Sequence, residues 1–162
     1  MIPKIKNPTL YILIGVPGCG KSTYAEELSE KLVKKHDVVV STISSDKIRK
    51  HLYGDESCQD CPSKVFAIAH NVIKNQLSVG YDVIFDATNI HKHNREELIK
   101  EVLFEVNKPV RFVAIYFNTP IEECIKRQEL RDRKVPKKVI EKMARQIDKP
   151  TFEEGFDIIK TI

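Results

Sequence analysis

A glycine-rich segment that follows a short apolar run constrains the fold of this chain more than any other feature. Residues 15–22 read GVPGCGKS, which fits the pattern G-x-x-x-x-G-K-[ST], and they directly follow the apolar run 9–14. Apolar residues then recur four apart over 21–36, as in a helix that packs on a sheet. A strand, a glycine loop and a helix N-terminus in this order close backbone N–H groups around phosphates. The segment therefore predicts a loop that binds a nucleoside triphosphate.

The residue types in this loop assign roles to two side chains. Lys21 would reach the β- and γ-phosphates, and the Ser22 hydroxyl would ligate Mg²⁺. An ordinary glycine-rich turn is the alternative, but motif and context both favour the phosphate loop. We therefore expect ATP and Mg²⁺ to bind here. The expected ATP contacts come from eight residues of the loop: Gly15, Pro17, Gly18, Cys19, Gly20, Lys21, Ser22 and Thr23.

Apolar runs rich in β-branched residues alternate with helical patterns along the rest of the chain. Strands are predicted at 9–14, 38–43, 83–85, 110–117 and 156–162. Helices are predicted at 21–36, 46–53, 63–79, 94–107, 120–130 and 136–147, and a mobile loop at 54–62. The alternation is typical of a parallel sheet with helices on its faces. The predicted fold is α/β, of the P-loop NTPase type: a five-stranded parallel sheet flanked by helices, with a helical lid as in nucleotide kinases.

Length and composition limit the classes of protein that fit. The 162 residues predict one domain over 1–162, and 41% hydrophobic residues with only 6 Gly and 8 Pro exclude a disordered or collagen-like chain. No apolar run approaches the roughly 20 residues that span a bilayer, and residues 1–6 lack the apolar stretch of a secretion signal. We therefore expect a cytoplasmic protein with no membrane contact. Four cysteines are too few for a disulfide scaffold.

Positive charge is concentrated towards the C-terminus. Residues 126–149 contain ten Lys and Arg and four Asp and Glu, whereas the whole chain has 27 and 23. A solvated helix face and a surface that meets phosphates both fit this block.

A nucleotide site alone does not separate a kinase from a GTPase-like switch or an ATP-driven motor. The chain is short for a motor, whereas a small kinase needs only an acceptor site and a lid. Asp46 and Arg49 follow the second predicted strand and lie three apart, so on a helix they share a face. Asp46 could accept the proton of an attacking hydroxyl while Arg49 grips a phosphate. Alternatively, Asp46 only caps the helix.

Further candidates follow the third and fourth strands. Asp86 ends an apolar strand, where it could hold Mg²⁺ or its water shell, or act only as a turn residue. Arg127 and Arg131 are four apart on a predicted helix, and Arg133 follows. In a swinging lid, such guanidinium groups would neutralise charge on the transferring phosphate, although solvated arginines fit the spacing as well.

Cysteines and histidines give weaker signals. Cys58 and Cys61 have the spacing of metal ligands, but a zinc site needs about four ligands and the sequence has no second pair. We expect His70, His91 and His93 to be structural or surface residues.

Taken together, these motifs resemble the 5′-hydroxyl polynucleotide kinases of phage, bacterial and animal repair enzymes. The likeness runs along nearly the whole chain. It comprises the phosphate loop, SDKIR at 45–49, DATN at 86–89 with Arg95 six residues later, the arginines at 127 and 131 with Val135-Pro136, and KPTFEEGF at 149–156. Nothing in the sequence resembles the phosphatase or ligase domains often fused to such kinases.

The resemblance implies a transfer of the γ-phosphate of ATP to a 5′-hydroxyl end of RNA or DNA. It implies that Asp46 is the general base, that Arg49 holds an acceptor phosphate, and that a lid arginine, most simply Arg131, contacts the donor phosphates. The catalytic residues would thus be Lys21, Asp46 and Arg131. Arg127 would join Arg131 at ATP, and Ser22 and Asp86 would serve the metal, the latter through water. The expected acceptor residues are Asp46, Arg49, Asp86, Thr88, Asn89 and Arg95.

Other readings stay open. A separate phosphatase or ligase could act as a partner of such a stand-alone kinase. The same loop and sheet also serve kinases for smaller hydroxyl groups, such as those of a nucleoside, a sugar nucleotide or an aminoacyl group on tRNA. A nucleotide-dependent binding protein that transfers nothing is the third alternative.

Overall fold

The structure of this protein is a computed structural model, and it describes residues 7–36, 38–56 and 62–162. Five strands alternate with helices. In chain order they are β1 (Thr9–Ile14), α1 (Lys21–His36), β2 (Val40–Ser44), α2 (Ser45–Tyr53), α3 (Pro62–Ser78), β3 (Asp82–Asp86), α4 (Lys92–Glu105), β4 (Arg111–Tyr116), α5 (Ile121–Glu129), α6 (Lys137–Gln146), a short 3-10 helix (Phe152–Glu154) and β5 (Ile158–Thr161). The strands form one parallel sheet in the order β2-β3-β1-β4-β5. This is the fold class that the sequence predicts.

The predicted boundaries agree with the observed ones to within a few residues. The bounds of β1 and α1 are those predicted. The last strand starts two residues later than predicted, because Phe156 packs into the core and the Asp157 carboxylate accepts a hydrogen bond from the backbone N–H of Phe112 at 2.7 Å. Most of the predicted loop at 54–62, including Cys58 and Cys61, lies outside the described residues.

The core lies on both sides of the two central strands. Every residue of β3 is buried, and five of the six residues of β1 are buried. One face of the sheet packs against α3 and α4, through residues such as Ile73 and Leu98, and the other packs against α1, α5 and α6, through residues such as Ala25 and Ile140. Because β1 is central and buried, the loop that follows it starts from the packed core of the molecule.

A charged cluster joins α3 to α4 at the edge of the core. Lys74 Nζ lies 2.8 Å from Glu105 Oε1 and 3.1 Å from Glu101 Oε2, and His70 Nδ1 lies 3.2 Å from Glu101 Oε1. Burial alone would raise the pKa of Glu101, but hydrogen bonds from Lys74 and His70 outweigh it and hold this pKa below its usual value. Burial likewise opposes the charge of Lys74, yet its two carboxylate partners raise its pKa. The cluster therefore holds α3 and α4 together most strongly when Lys74 and Glu101 are both charged.

In the part of the chain that the structure describes, no helix is both long enough and apolar enough to cross a bilayer.

Candidate active site

A cleft of about 1080 Å³ opens at the carboxyl ends of β1, β2 and β3. This is the edge at which open α/β sheets bind their ligands. Its walls come from the glycine loop, the start of α1, the start of α2, the end of β3 and the connector 130–136 between α5 and α6. Ten of the predicted site residues line it: Pro17, Gly18, Gly20, Lys21, Ser22, Asp46, Arg49, Asp86, Thr88 and, in the connector, Arg131.

The glycine loop is shaped by close backbone contacts. Gly18 has φ +84°, and a Cβ at this position would lie only 2.4 Å from the carbonyl oxygen of Cys124 on α5. A side chain here would meet backbone, so the loop needs glycine. The Lys21 ammonium donates to the carbonyl oxygens of Gly15 and Val16, each at 2.9 Å. The loop thus holds its own cation at the edge of the cleft.

Ser22 and Asp86 meet at the base of the cleft. The Ser22 hydroxyl donates to Asp86 Oδ2 at 2.8 Å, from the first turn of α1 to the last residue of β3. A hydroxyl and a carboxylate are hard oxygen donors of the kind that Mg²⁺ prefers, and Mg²⁺ usually keeps several waters beside one or two such groups. The two predicted metal residues therefore fit the ion, and the structure brings them together.

Asp46 and Arg49 form the opposite wall, on the first turns of α2. The N-cap of α2 is Ser44, whose side chain accepts from the backbone N–H of Lys47. The Asp46 carboxylate is therefore not the helix cap; it accepts from Arg49 Nη1 at 2.7 Å, and its side chain is 50% exposed. Arg49 is largely buried, and its Nε has no hydrogen-bond partner among the described residues. This Nε is itself closed off from solvent, so a ligand oxygen would reach it only after the neighbouring side chains moved.

The three arginines of the lid region have different surroundings. Arg131 is exposed at the cleft and forms no ion pair with any described residue. Arg127 pairs with Glu123 one turn earlier on α5 and does not line the cleft. Arg133, the third of the predicted lid candidates, reaches across the cleft to Asp46.

Asn89 and Arg95 differ from their predicted role as acceptor ligands. The Arg95 side chain is wholly buried and makes a bidentate ion pair with Glu154, with distances of 2.7 Å from Nε to Oε2 and 2.8 Å from Nη2 to Oε1. Its Nη1 donates to the Asn89 carbonyl at 2.8 Å. Asn89 has φ +46° and its amide donates to the Leu13 carbonyl at 2.8 Å. Both side chains have their hydrogen-bond partners inside the protein and do not line the cleft, so they stabilise its walls and do not contact an acceptor. Thr-x-x-Glu at 151–154 forms a capping box in the structure, but this local pattern gives no sign that Glu154 also pairs with Arg95.

Other expected ATP ligands also lie outside the cleft lining. Cys19 is buried, and its Sγ lies 3.6 Å from Lys21 Nζ. The same sulfur packs against Gly15, where an added Cβ would lie only 2.5 Å from it. Gly15 is tied to the Thr88 carbonyl by its backbone N–H at 3.0 Å. Thr23 is exposed on α1. Burial raises the pKa of the nearby Cys124 thiol to about 11.

The described residues contain no group of three or more His, Cys, Asp and Glu side chains placed to hold a metal ion. This statement does not cover Cys58 and Cys61, which lie outside them.

Comparison with known proteins gives relatives at the level of sequence. The model of the AAA domain family matches residues 10–150. The L-seryl-tRNA(Sec) kinase of Methanococcus maripaludis is 28% identical over 151 residues, which are 92% of this chain and 56% of that protein. This chain thus spans little more than half the length of that relative.

Several solved structures share the fold, and two of them illustrate the likeness. A chain of the Pnkp1/Rnl/Hen1 RNA repair complex is 24% identical, with a TM-score of 0.67 over 90% of this chain and 45% of its own. Kti12 of Chaetomium thermophilum, solved with ADP-AlF3, is 20% identical, with a TM-score of 0.74 over 94% of this chain and 88% of its own. At these identities the likeness is one of fold. Since the family model covers the chain from β1 to residue 150, this chain belongs to the AAA domain family and has the P-loop NTPase fold of the nucleotide-kinase type.

Proposed function

We propose that this chain is a kinase that transfers the γ-phosphate of ATP to a hydroxyl group. One observation carries the proposal: a single cleft holds the Lys21, Ser22 and Asp86 group on one wall and the half-exposed carboxylate of Asp46 on the other. The first group suits a magnesium-bound triphosphate, and the second suits the proton of an attacking hydroxyl. A protein that only binds nucleotide has no use for the second.

The chemical step needs a base and positive charge. The acceptor oxygen forms a bond to the γ-phosphorus while the bond from that phosphorus to the bridging oxygen of ADP breaks, and the hydroxyl proton passes to Asp46. Lys21 and Arg131 would offset the negative charge on the phosphate oxygens. A bound Mg²⁺, held by Ser22 and through water by Asp86, would add further positive charge.

The first candidate acceptor is a small hydroxyl carried on RNA, such as the side chain of an aminoacyl group on tRNA. A sequence relative whose match spans 92% of this chain is an L-seryl-tRNA(Sec) kinase, which supports this alternative over the polynucleotide end that the motifs first suggested. A small hydroxyl also fits an acceptor wall on which a carboxylate and a guanidinium, Asp46 and Arg49, lie side by side.

The exposed cations beside the cleft favour an acceptor with a phosphate backbone. Lys138, Lys142 and Arg145 follow a spacing of four and three residues, so they share one face of α6. The adjacent face carries Val139 and Met143, which line the cleft. The three cations, which we call the α6 stripe, are exposed and form no ion pair with any described residue. Unpaired cations in a row beside an active site suit successive phosphates of an RNA chain.

The second candidate acceptor is a 5′-hydroxyl end of RNA. The motif resemblance supports it, and so does the likeness to a chain of an RNA repair complex. The α6 stripe suits it equally well.

The position of the transferred phosphate separates the candidates. The protein is incubated with γ-labelled ATP and Mg²⁺, and with seryl-tRNA, the same tRNA uncharged, or a 5′-hydroxyl RNA oligonucleotide. Mild alkali cleaves aminoacyl esters, so label on the amino acid leaves the RNA, whereas label at a 5′ end stays with it. We expect alkali-labile label on seryl-tRNA. Label only on 5′ ends would favour the second candidate, and release of free phosphate alone would contradict the kinase.

Variants test the residue roles. Lys21→Ala is expected to abolish transfer, and Asp46→Asn is expected to lower it by about 10²- to 10⁴-fold while ATP still binds. Transfer retained by Asp46→Asn would contradict its role as the base. Lys142→Gln should raise KM for the RNA acceptor and flatten its salt dependence, whereas Lys160→Gln on the far edge strand, a matched loss of one charge, should change neither.

A further inference from the structure

We infer that Arg133 determines which nucleophile receives the phosphate, by covering the base Asp46 until an acceptor displaces it. The inference rests on the proposed function, because it assumes that Asp46 is the base. Arg133 Nη1 lies 3.3 Å from Asp46 Oδ2, and Arg49 Nη1 lies 2.7 Å from Asp46 Oδ1. Each oxygen of the carboxylate therefore already has a guanidinium partner.

This pairing restricts what Asp46 can do in the acceptor-free protein. A general base must lie within hydrogen-bond reach of the group whose proton it takes, directly or through one water. A nucleophile that uses Oδ2 has to displace Arg133 or share the oxygen with it. A single water molecule brings little binding energy for this exchange, whereas an acceptor gripped elsewhere in the cleft brings much more.

Glu56 makes the exchange easy for a true acceptor. Its Oε2 lies 3.5 Å from the same Nη1 of Arg133, so the guanidinium keeps a partner when it leaves Asp46. The Asp46, Glu56 and Arg133 side chains are all partly exposed, between 32% and 50%, so their ion pairs are weak enough to open. The ion pair between Arg49 and Asp46 opens less easily, because the Arg49 side chain is only 11% exposed and both residues lie on α2.

The position of Arg133 suits this role better than a role at the donor phosphates. It lies on the connector 130–136, opposite α2, and its contacts are with two acids on the acceptor side of the cleft. Arg131, two residues earlier, lines the cleft without an ion pair to any described residue, which leaves it available for phosphate.

The reaction that Arg133 would suppress is hydrolysis. In that reaction a water oxygen attacks the γ-phosphorus, the bond to the bridging oxygen of ADP breaks, and the water proton passes to Asp46, giving ADP and inorganic phosphate. Freeing Asp46 should raise this rate by about tenfold, a part of the 10²- to 10⁴-fold that a general base contributes.

The test measures ADP release without any acceptor. Arg133→Gln is expected to hydrolyse ATP about tenfold faster than the unaltered protein, and Arg133→Lys should fall between them, because lysine keeps the charge but lacks the fork. Lys137→Gln, at the start of the neighbouring α6, removes a lid cation that pairs only with Glu141 among the described residues, and it should leave hydrolysis unchanged. Circular dichroism and ATP titration verify that each variant folds and binds.

A second measurement ties the effect to Asp46. The variant that combines Arg133→Gln with Asp46→Asn should lose the extra hydrolysis. With acceptor present, Arg133→Gln should yield fewer phosphorylated acceptors per ADP than the unaltered protein. Unchanged or slower hydrolysis in Arg133→Gln would overturn the inference, as would extra hydrolysis that survives the loss of Asp46. The acceptor-free rates judge Arg133 even if none of the proposed acceptors is phosphorylated, so failure of the inference and failure of the proposed function remain distinguishable.

Discussion

Replacing Arg95 by Met should destabilise the protein strongly without changing acceptor binding. Both partners of the Arg95–Glu154 pair have side chains that are 0% exposed, so the variant leaves a buried carboxylate without its counter-charge. It also removes the donor to the Asn89 carbonyl. Breaking a buried pair in this way costs about 3–5 kcal/mol, out of a total stability of about 5–15 kcal/mol. At a urea dependence of about 2 kcal/mol per molar, the midpoint should fall by roughly 1.5–2.5 M.

The double variant separates the lost charge from the lost packing. With Glu154→Leu added to Arg95→Met, no buried charge is left unpaired, and such replacements are often close to neutral. Glu154 also accepts from the backbone N–H of Thr151 at 3.0 Å, and losing this cap should cost about 1 kcal/mol. The double variant should therefore be more stable than Arg95→Met alone.

Urea unfolding followed by far-ultraviolet circular dichroism is the suitable assay, because the chain has no Trp. A loss below about 1 kcal/mol in Arg95→Met would refute the reasoning. So would a double variant less stable than the single one. If stability stayed unchanged while KM for the acceptor rose, Arg95 would be an acceptor ligand after all, as the motifs suggested.

Two further predictions concern the glycine loop and the charged cluster. Gly18→Ala should abolish ATP binding in a titration, because its Cβ would lie 2.4 Å from the Cys124 carbonyl and the loop would have to move; binding unchanged from the parent would contradict this. Lys74→Met should reduce the acid sensitivity of the fold. The lowered pKa of Glu101 adds stability above the usual pKa of 4.5, and this stability is lost as the pH falls through the pKa of Glu101 in the folded protein. Without Lys74, less of this stability exists to be lost. Thermal melts between pH 7 and pH 3 check this, and an equal loss of Tm in both proteins would refute it.

The glycine loop and the central strands could be predicted because their signals are local. A run of apolar residues, a fixed glycine spacing and an apolar stripe four residues apart are all read within about 30 residues, and β1 and α1 have the predicted bounds. Asp46 and Asp86 could be placed at one edge because parallel strands end together there.

The surroundings of the arginines could not be predicted, because they depend on distant contacts. Arg95 and Glu154 are 59 residues apart, and only the fold shows that each neutralises the other in the core. Arg133 meets Asp46 only because the connector before α6 crosses the cleft towards α2. The sequence around an arginine does not distinguish one that contacts a substrate from one that pairs with a buried carboxylate. For this reason the motif predicted that Arg95 binds the acceptor.

The order of the strands divides the cleft into a part that resists change and a part that tolerates it. The glycine loop and Asp86 lie at the ends of β1 and β3, which are neighbours in the middle of the sheet, so a substitution there disturbs the core. The connector 130–136 belongs to no strand, and Arg133 in it makes only ion pairs between partly exposed side chains. Evolution could therefore vary the part of this connector around Arg133 to obtain new acceptors, while keeping Arg131 and the donor chemistry intact. Engineering could follow the same route, by grafting connectors between members of the family.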